Sequence, residues 1–467
     1  MLTPATLDGE KTRLAEQANS RKGQLSRVLG FRDVVLLIIG TVIGSGIFLV
    51  PGAVMRPLGN SVLLGLCVWI TGGILSLLGA LTYGELSAMK PQAGGLYVYI
   101  RDCFGPFLAF LFGWTLFFVI SSGSVATLAV AFSNYLGEFI PLTPLLAKLV
   151  SVLMIAVICV VNVRGTRQSA DLQNVTTALK VFAILLMGAA LLWIGKNFAT
   201  VPVTRPHLSA GALASGCGLA MISVLWAYEG WQYATFTAGE TLDPQRNFPR
   251  AFLAGSVALI AIYVFANLGY LAALGGDGVA SSSRVAATAI SIVIGPTAAK
   301  LVALTILISM FSAANSIVLT APRVYYAMAK DGVFFQRLSE VHPRFGTPAF
   351  AVIAAATWAA ILAASGTFEQ LLTYVVFIGW IFYALAAASV FVYRKRLPHA
   401  DRPYRVPGYP VTPLVFIAAA IALVTNTIAT QPKRALVGLA IVLAGAPAYI
   451  IWRKLNAART PMASESS

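Results

Sequence analysis

Charge is scarce in this chain. Asp, Glu, Lys and Arg make up 11% of its 467 residues and 58% are hydrophobic, whereas soluble domains carry about 25% charged residues. That excludes an ordinary soluble protein and points to one that lies almost wholly in a bilayer. Acids are scarcer than bases, 17 against 33, for a net charge of +16. In a polytopic membrane protein such an excess belongs to basic loops beside an anionic leaflet, so no nucleic-acid partner is expected. Cysteine is rare: Cys67, Cys159 and Cys217 fall in apolar segments and Cys103 at the edge of one. With no CxxC pair, neither a zinc site nor a disulfide framework is indicated. The three histidines, His207, His342 and His399, lie in predicted loops. That argues against an intramembrane metal site or a Ser/His/Asp triad. No metal, no cofactor and no enzymatic activity are expected.

Long hydrophobic runs are what the chain does have. Twelve apolar segments, judged against the ~20 residues needed to cross a bilayer, fall near 33–56, 61–88, 104–136, 145–163, 173–195, 210–238, 250–274, 298–330, 347–364, 368–394, 411–429 and 434–453. Residues 1–30 are polar, with no apolar core and cleavage site, and read as a tail rather than a signal peptide; residues 454–467 read as a second tail. The stretch 285–295 is too short to span and reads as a helix over the outer face. The proline-rich, basic stretch 398–413 separates ten segments from the last two. With the N-terminus inside, only Arg56, Lys148, Lys196, Arg205, Arg284, Lys300, Lys433 and Arg434 fall in outer loops. The bias of about three to one favours both ends in the cytoplasm.

Two segments carry residues that a plain spanning helix would avoid. Segment one contains TVIGSGIFLVPGAV (41–54), with Gly40, Gly44 and Gly46 around Ser45. Each glycine costs a helix interior about 1 kcal/mol against alanine. Close helix packing is one explanation. Segment six contains SVLWAYEGWQYATF (223–236), where Glu229 and Gly230 sit mid-segment among Trp226, Tyr228, Trp231 and Tyr233. A carboxylate at that depth must face water or a partner. Interruptions five segments apart are the pattern of inverted repeats whose first helices are discontinuous. Open N–H groups at a half-helix N-terminus attract an anion, and freed carbonyls accept from an ammonium. A zwitterionic amino acid offers both charges.

Three further features stay ambiguous on spacing alone. Lys180 stands ~13 Å along a helix from Asp171 at 1.5 Å per residue. It reads either as a lysine snorkelling to the inner interface or as an ammonium near the helix-one break. In segment eight, Ser309, Ser312, Asn315 and Ser316 share a face, for packing or for a site. In segment three, ISSGSVAT (120–127) reads more readily as packing than as pocket lining.

GTVIGSGIF, WAYEGWQY followed by AGETLDPQRNFPRA, SADLQNVTTALK and RPYRVPGYP together resemble the amino acid–polyamine–organocation superfamily. Within it they are most similar to the L-type amino acid transporter (LAT) family and its prokaryotic relatives, over residues 28–453. The resemblance implies an all-α integral membrane protein with twelve transmembrane helices in the sodium-coupled leucine transporter fold. The inverted repeats would cover 31–200 and 208–396, with helices one and six discontinuous; residues 397–453 would add the inner loop and two helices. It implies amino-acid transport, often by exchange, in the plasma membrane. By the motif match the substrate would meet Val42, Ile43, Gly44, Ser45, Gly46, Ile47, Trp226, Glu229, Gly230 and Tyr233. The carboxylate would lie on N–H groups around Ser45, Gly46 and Ile47, and the ammonium on carbonyls near Val42 and Trp226. Trp226 would be the outer gate, where the family usually has phenylalanine. Lys180 would stand in for a sodium ion, with Gly40 or Thr41 and Ser312 as partners, which implies sodium independence.

Glu229 departs from the small residue of several members. It would favour a cationic substrate or pair internally. The loop between segments three and four lacks the cysteine that tethers mammalian members to a heavy chain, so no disulfide-linked heavy chain is expected. The expected partners are an amino-acid substrate and the lipid bilayer; no motif sets an oligomeric state. The rival transport reading is proton-coupled uptake of cationic amino acids or polyamines. A channel would call for a continuous polar stripe, and a nutrient sensor for an appended signalling domain.

Overall fold

The computed structural model describes residues 25–195, 209–365, 368–430 and 432–459. Most of the N-terminal tail, the loop with Lys196, Arg205 and His207, and the end of the C-terminal tail lie outside the described residues. The described chain is helical, with one isolated parallel bridge between Leu29 and Thr241. Among the described residues, ten helical stretches are long and apolar enough to cross a membrane: α1 (Phe31–Leu49), α2 (Val62–Met89), α3 (Pro106–Leu136), α4 (Pro144–Arg164), α5 (Thr166–Ile194), α6 (Ala210–Glu240), α7 (Pro244–Ser281), α8 (Pro296–Lys330), α11 (Val411–Thr430) and α12 (Ala435–Leu455). Two more helices, α9 (Ala349–Ser365) and α10 (Phe368–Arg396), lie between α8 and α11. The apolar stretch after α7 forms a separate short helix, Val285–Val293.

A bilayer cannot hydrogen-bond a peptide group, so these runs satisfy their backbones internally as helices. α1 packs against α5, α7 and α8 and against the second half of α6. It is therefore surrounded by protein, which makes irregular backbone tolerable at its middle.

One end of the bundle is knotted by a fully buried ion pair. Arg323 of α8 donates from Nε to Glu240 Oε2 at 2.5 Å and from Nη2 to Glu240 Oε1 and Thr166 Oγ1, both at 2.9 Å. Thr166 donates back to Glu240 Oε1 at 2.7 Å. The Glu240 carbonyl accepts from Val28 and Leu29 at 2.8 and 3.0 Å, so the strand leading into α1 is stitched to the end of α6. Arg323, near the end of the apolar segment 298–330, lies wholly inside the protein, at 0% exposure.

Candidate functional site

α1 stops being helical after Val42 and resumes at Gly46. An unbroken helix would bond each carbonyl to the N–H four residues on. Here the Gly44 N–H turns instead to the Val42 carbonyl (2.9 Å) and the Phe48 N–H to Ser45 (3.2 Å). The stranded carbonyls find other donors. Lys180 Nζ donates to Gly40 O at 2.7 Å and Ile43 O at 2.6 Å. Ser309 Oγ lies 2.9 Å from Ile43 O and 2.8 Å from Gly44 O. Tyr263 Oη of α7 lies 3.2 Å from Val42 O. The N–H groups of Ser45, Gly46 and Ile47 receive no such replacement: among the described residues they donate to nothing. The break thus neutralises most of its acceptors and leaves three neighbouring donors open, which is an anion-binding arrangement.

α6 breaks at the same level. Its helix ends at Ala227, and a 3₁₀ stretch runs from Trp231 to Glu240. Gly230 between them has φ +126°, a conformation that only glycine adopts readily. A Cβ there would also stand 3.1 Å from the Thr41 carbonyl carbon and oxygen. Tyr263 Oη reaches Ala227 O at 2.9 Å as well as Val42 O, so one hydroxyl spans the two breaks.

Between the breaks lies a cavity of about 100 Å³. Backbone-rich stretches of α1 and α6 form one wall: Thr41, Val42, Gly44, Ser45, Gly46, Trp226, Ala227, Glu229, Gly230 and Tyr233. Side chains of α3 and α8 form the other: Ser124, Thr127, Leu128, Ala313 and Ile317. Of the residues picked out by sequence, Ile43 and Ile47 do not line the cavity. Ile43 turns its carbonyl to Lys180, and Ile47 is buried. Glu229 Oε1 accepts from Tyr383 Oη of α10 at 2.8 Å.

Lys180 is fully buried, which overturns the snorkelling alternative. Ser312, the serine that the resemblance pairs with the lysine, is not the one beside it; that serine is Ser309, one turn earlier. Ser312 accepts from Gln173 Nε2 at 3.0 Å and lies 3.5 Å from Thr177 Oγ1, while Ser309 shares the Ile43 carbonyl with Lys180. Gly40 is required by closeness: a Cβ there would meet Gln173 Nε2 at 2.0 Å and Thr177 Oγ1 at 2.3 Å. Sequence reasoning missed Tyr263, one of three hydroxyls in its apolar run, with no spacing signal to set it apart from Ser256 and Tyr270. It also ranked Ser124 and Thr127 as packing, although both line the cavity. Among the described residues no cluster of His, Cys, Asp and Glu could hold a metal, and all four cysteines are free.

These features define a multi-pass membrane protein that can hold a small solute where two interrupted helices meet. Comparison with known proteins gives the family. Residues 29–447 match the model of the amino acid permease family. The serine/threonine exchanger SteT of Bacillus subtilis is 32% identical over 438 residues, covering 93% of this chain and 98% of that protein. The human cystine/glutamate transporter is 32% identical over 452 residues, covering 94% and 88%. The human b(0,+)-type amino acid transporter 1 is 32% identical over 419 residues, covering 87% and 84%. The chain belongs to the amino acid permease family, within the amino acid–polyamine–organocation superfamily.

Proposed function

We propose that this protein is an amino-acid exchanger of the plasma membrane, sodium-independent and working by alternating access. The observation that carries the reading is the asymmetric break in α1, with three open N–H groups beside carbonyls already supplied with donors. In this reading the α-carboxylate lies on Ser45, Gly46 and Ile47. The ammonium lies on the α1 and α6 carbonyls near Val42 and Trp226, helped by the Thr41 carbonyl, whose helical donor Ser45 has turned away. Trp226 closes over the site from outside.

Lys180 supplies the positive charge that a coupling cation would otherwise bring to the break, which supports sodium independence. The similarity to SteT, a serine/threonine exchanger, supports antiport. The reading takes all twelve helices as spans, α1–α5 and α6–α10 as inverted repeats over 31–200 and 208–396, and both termini as cytoplasmic. Closing the half-helices on substrate and rocking α1, α2, α6 and α7 against α3, α4, α8 and α9 would carry it across. The chain would do so without a disulfide-linked heavy subunit.

Liposome assays test this. Labelled amino acid should enter vesicles preloaded with unlabelled substrate much faster than empty ones, and equally well with sodium replaced by choline. Equal entry into empty vesicles would refute exchange.

One observation favours a second reading. Glu229 lines the cavity, so its carboxylate can meet a cationic side chain or an amine. Proton-coupled uptake of cationic amino acids or polyamines would then be driven by an imposed pH gradient into substrate-free vesicles.

A further inference from the structure

Two polar patterns in the sequence still lack a role: SADLQNVTTALK in α5 and the serine–asparagine face of α8. The structure joins them. Ser169, Gln173, Thr177 and Lys180 follow one another along one face of α5, and Asn315, Ser312 and Ser309 run antiparallel to them along α8. All are buried. Asn315 Nδ2 donates to Ser169 O at 3.3 Å and to Gln173 Oε1 at 3.0 Å. Gln173 Nε2 donates in turn to Ser312 Oγ at 3.0 Å and Thr177 Oγ1 at 2.9 Å. Asn162 of α4 closes one end, donating to Asn315 Oδ1 at 2.9 Å and accepting from Ser169 Oγ at 2.7 Å. At the other end Lys180 and Ser309 meet on the Ile43 carbonyl of α1. The polar contacts thus form a ladder between α5 and α8, and Gln173 links its successive rungs with both ends of its amide in use.

We propose that Gln173 is a positioning residue for the break in α1: the ladder it centres fixes the register of α5 against α8, and that register brings Lys180 and Ser309 to one carbonyl. A lysine stem is flexible, so its length alone does not decide where the ammonium stands. The rungs repeat by helical turns, so the neighbouring register lies about 5.4 Å away, too far for Lys180 and Ser309 to share a partner. The same rung seats α1, because Gln173 Nε2 and Thr177 Oγ1 occupy the space that a Cβ on Gly40 would need. It follows that α5 and α8 keep one register through the transport cycle while α1 moves against them. The inference rests on the reading that the break holds the substrate. Loss of the ladder loosens the break and so weakens substrate binding.

The test ties the two helices by a different bond. Thr177 and Ser312 face each other with hydroxyl oxygens 3.5 Å apart, so cysteine sulfurs in their place come near the ~2 Å of a disulfide. Thr177→Cys/Ser312→Cys should form that bond on oxidation, seen by mass spectrometry, and should exchange amino acid in liposomes at least as fast oxidised as reduced. Gln173→Met keeps the side chain's length and removes the amide; its KM for exchange should rise about tenfold. Combined with the cysteine pair, Gln173→Met should raise KM in the reduced protein, and oxidation should restore it. If the methionine variant does not fold, Gln173→Asn, one methylene too short for both α8 partners, takes its place. A bond that does not form would mean that the two helices do not face each other in this register. An oxidised pair slower than the reduced one would mean that α5 and α8 slide. A KM unmoved by the Gln173 change, or moved and not restored by oxidation, would leave Gln173 as packing. Each of these overturns the proposal. If the wild type exchanges no amino acid at all, it is the exchange reading that fails.

Discussion

Gly230 lies against Thr41, so the break in α6 seats directly on the last helical turn of α1 before its own break. The φ of +126° strains any side chain there, and a built Cβ would crowd the Thr41 carbonyl at 3.1 Å. Gly230→Ala should therefore cost about 1–3 kcal/mol from backbone strain alone. It should also push the two half-helices apart. Exchange in liposomes should be lost even where size-exclusion chromatography shows folded protein; full exchange in that variant would mean the two breaks do not work as one unit.

Lys180 replaces the Gly44 N–H that the Gly40 carbonyl loses at the break. Lys180→Ala leaves that carbonyl buried without a donor, at a cost of about 1–3 kcal/mol, while Ile43 O keeps Ser309. The variant should melt at lower temperature and lose exchange. Wild-type exchange in Lys180→Ala would show that the ammonium serves packing only.

Tyr263 reaches Val42 and Ala227 with one hydroxyl. Tyr263→Phe keeps the ring against Trp69 and Tyr228 and removes only the oxygen. The effect on melting should stay near the ~1 kcal/mol of one hydrogen bond. The effect on exchange should be larger, because both breaks lose a tie. A variant whose exchange falls no further than its stability would contradict this.

The Arg323–Glu240 pair is a buried charge pair, so deleting one partner strands the other. Arg323→Met or Glu240→Met alone should each cost about 3–5 kcal/mol, and the double variant markedly less than their sum. Thermal unfolding of the four proteins forms the cycle. Additive losses would mean that the pair is not coupled.

The sequence made the breaks legible because glycines and a carboxylate at mid-span are costly in lipid unless something uses them. It also marked Lys180 as unusual, for the same reason. What it could not show was which neighbour answers each stranded carbonyl. That depends on the rotation of α7 and α8 about their axes, so Tyr263 went unnoticed and Ser312 was chosen one turn away from Ser309. The Arg323 pairing was not visible because its partner Glu240 lies 83 residues away. Thr127 reads as packing because a helical threonine normally satisfies itself, and only the coordinates show that this one does not.

The central claim is that the open N–H groups of Ser45, Gly46 and Ile47 grip a carboxylate. Thermal stabilisation of the purified protein by a transported amino acid, by its carboxamide and by the corresponding decarboxylated amine tests it most directly. The free amino acid should stabilise the protein, and the two compounds lacking a carboxylate should not. Equal stabilisation by all three would contradict it.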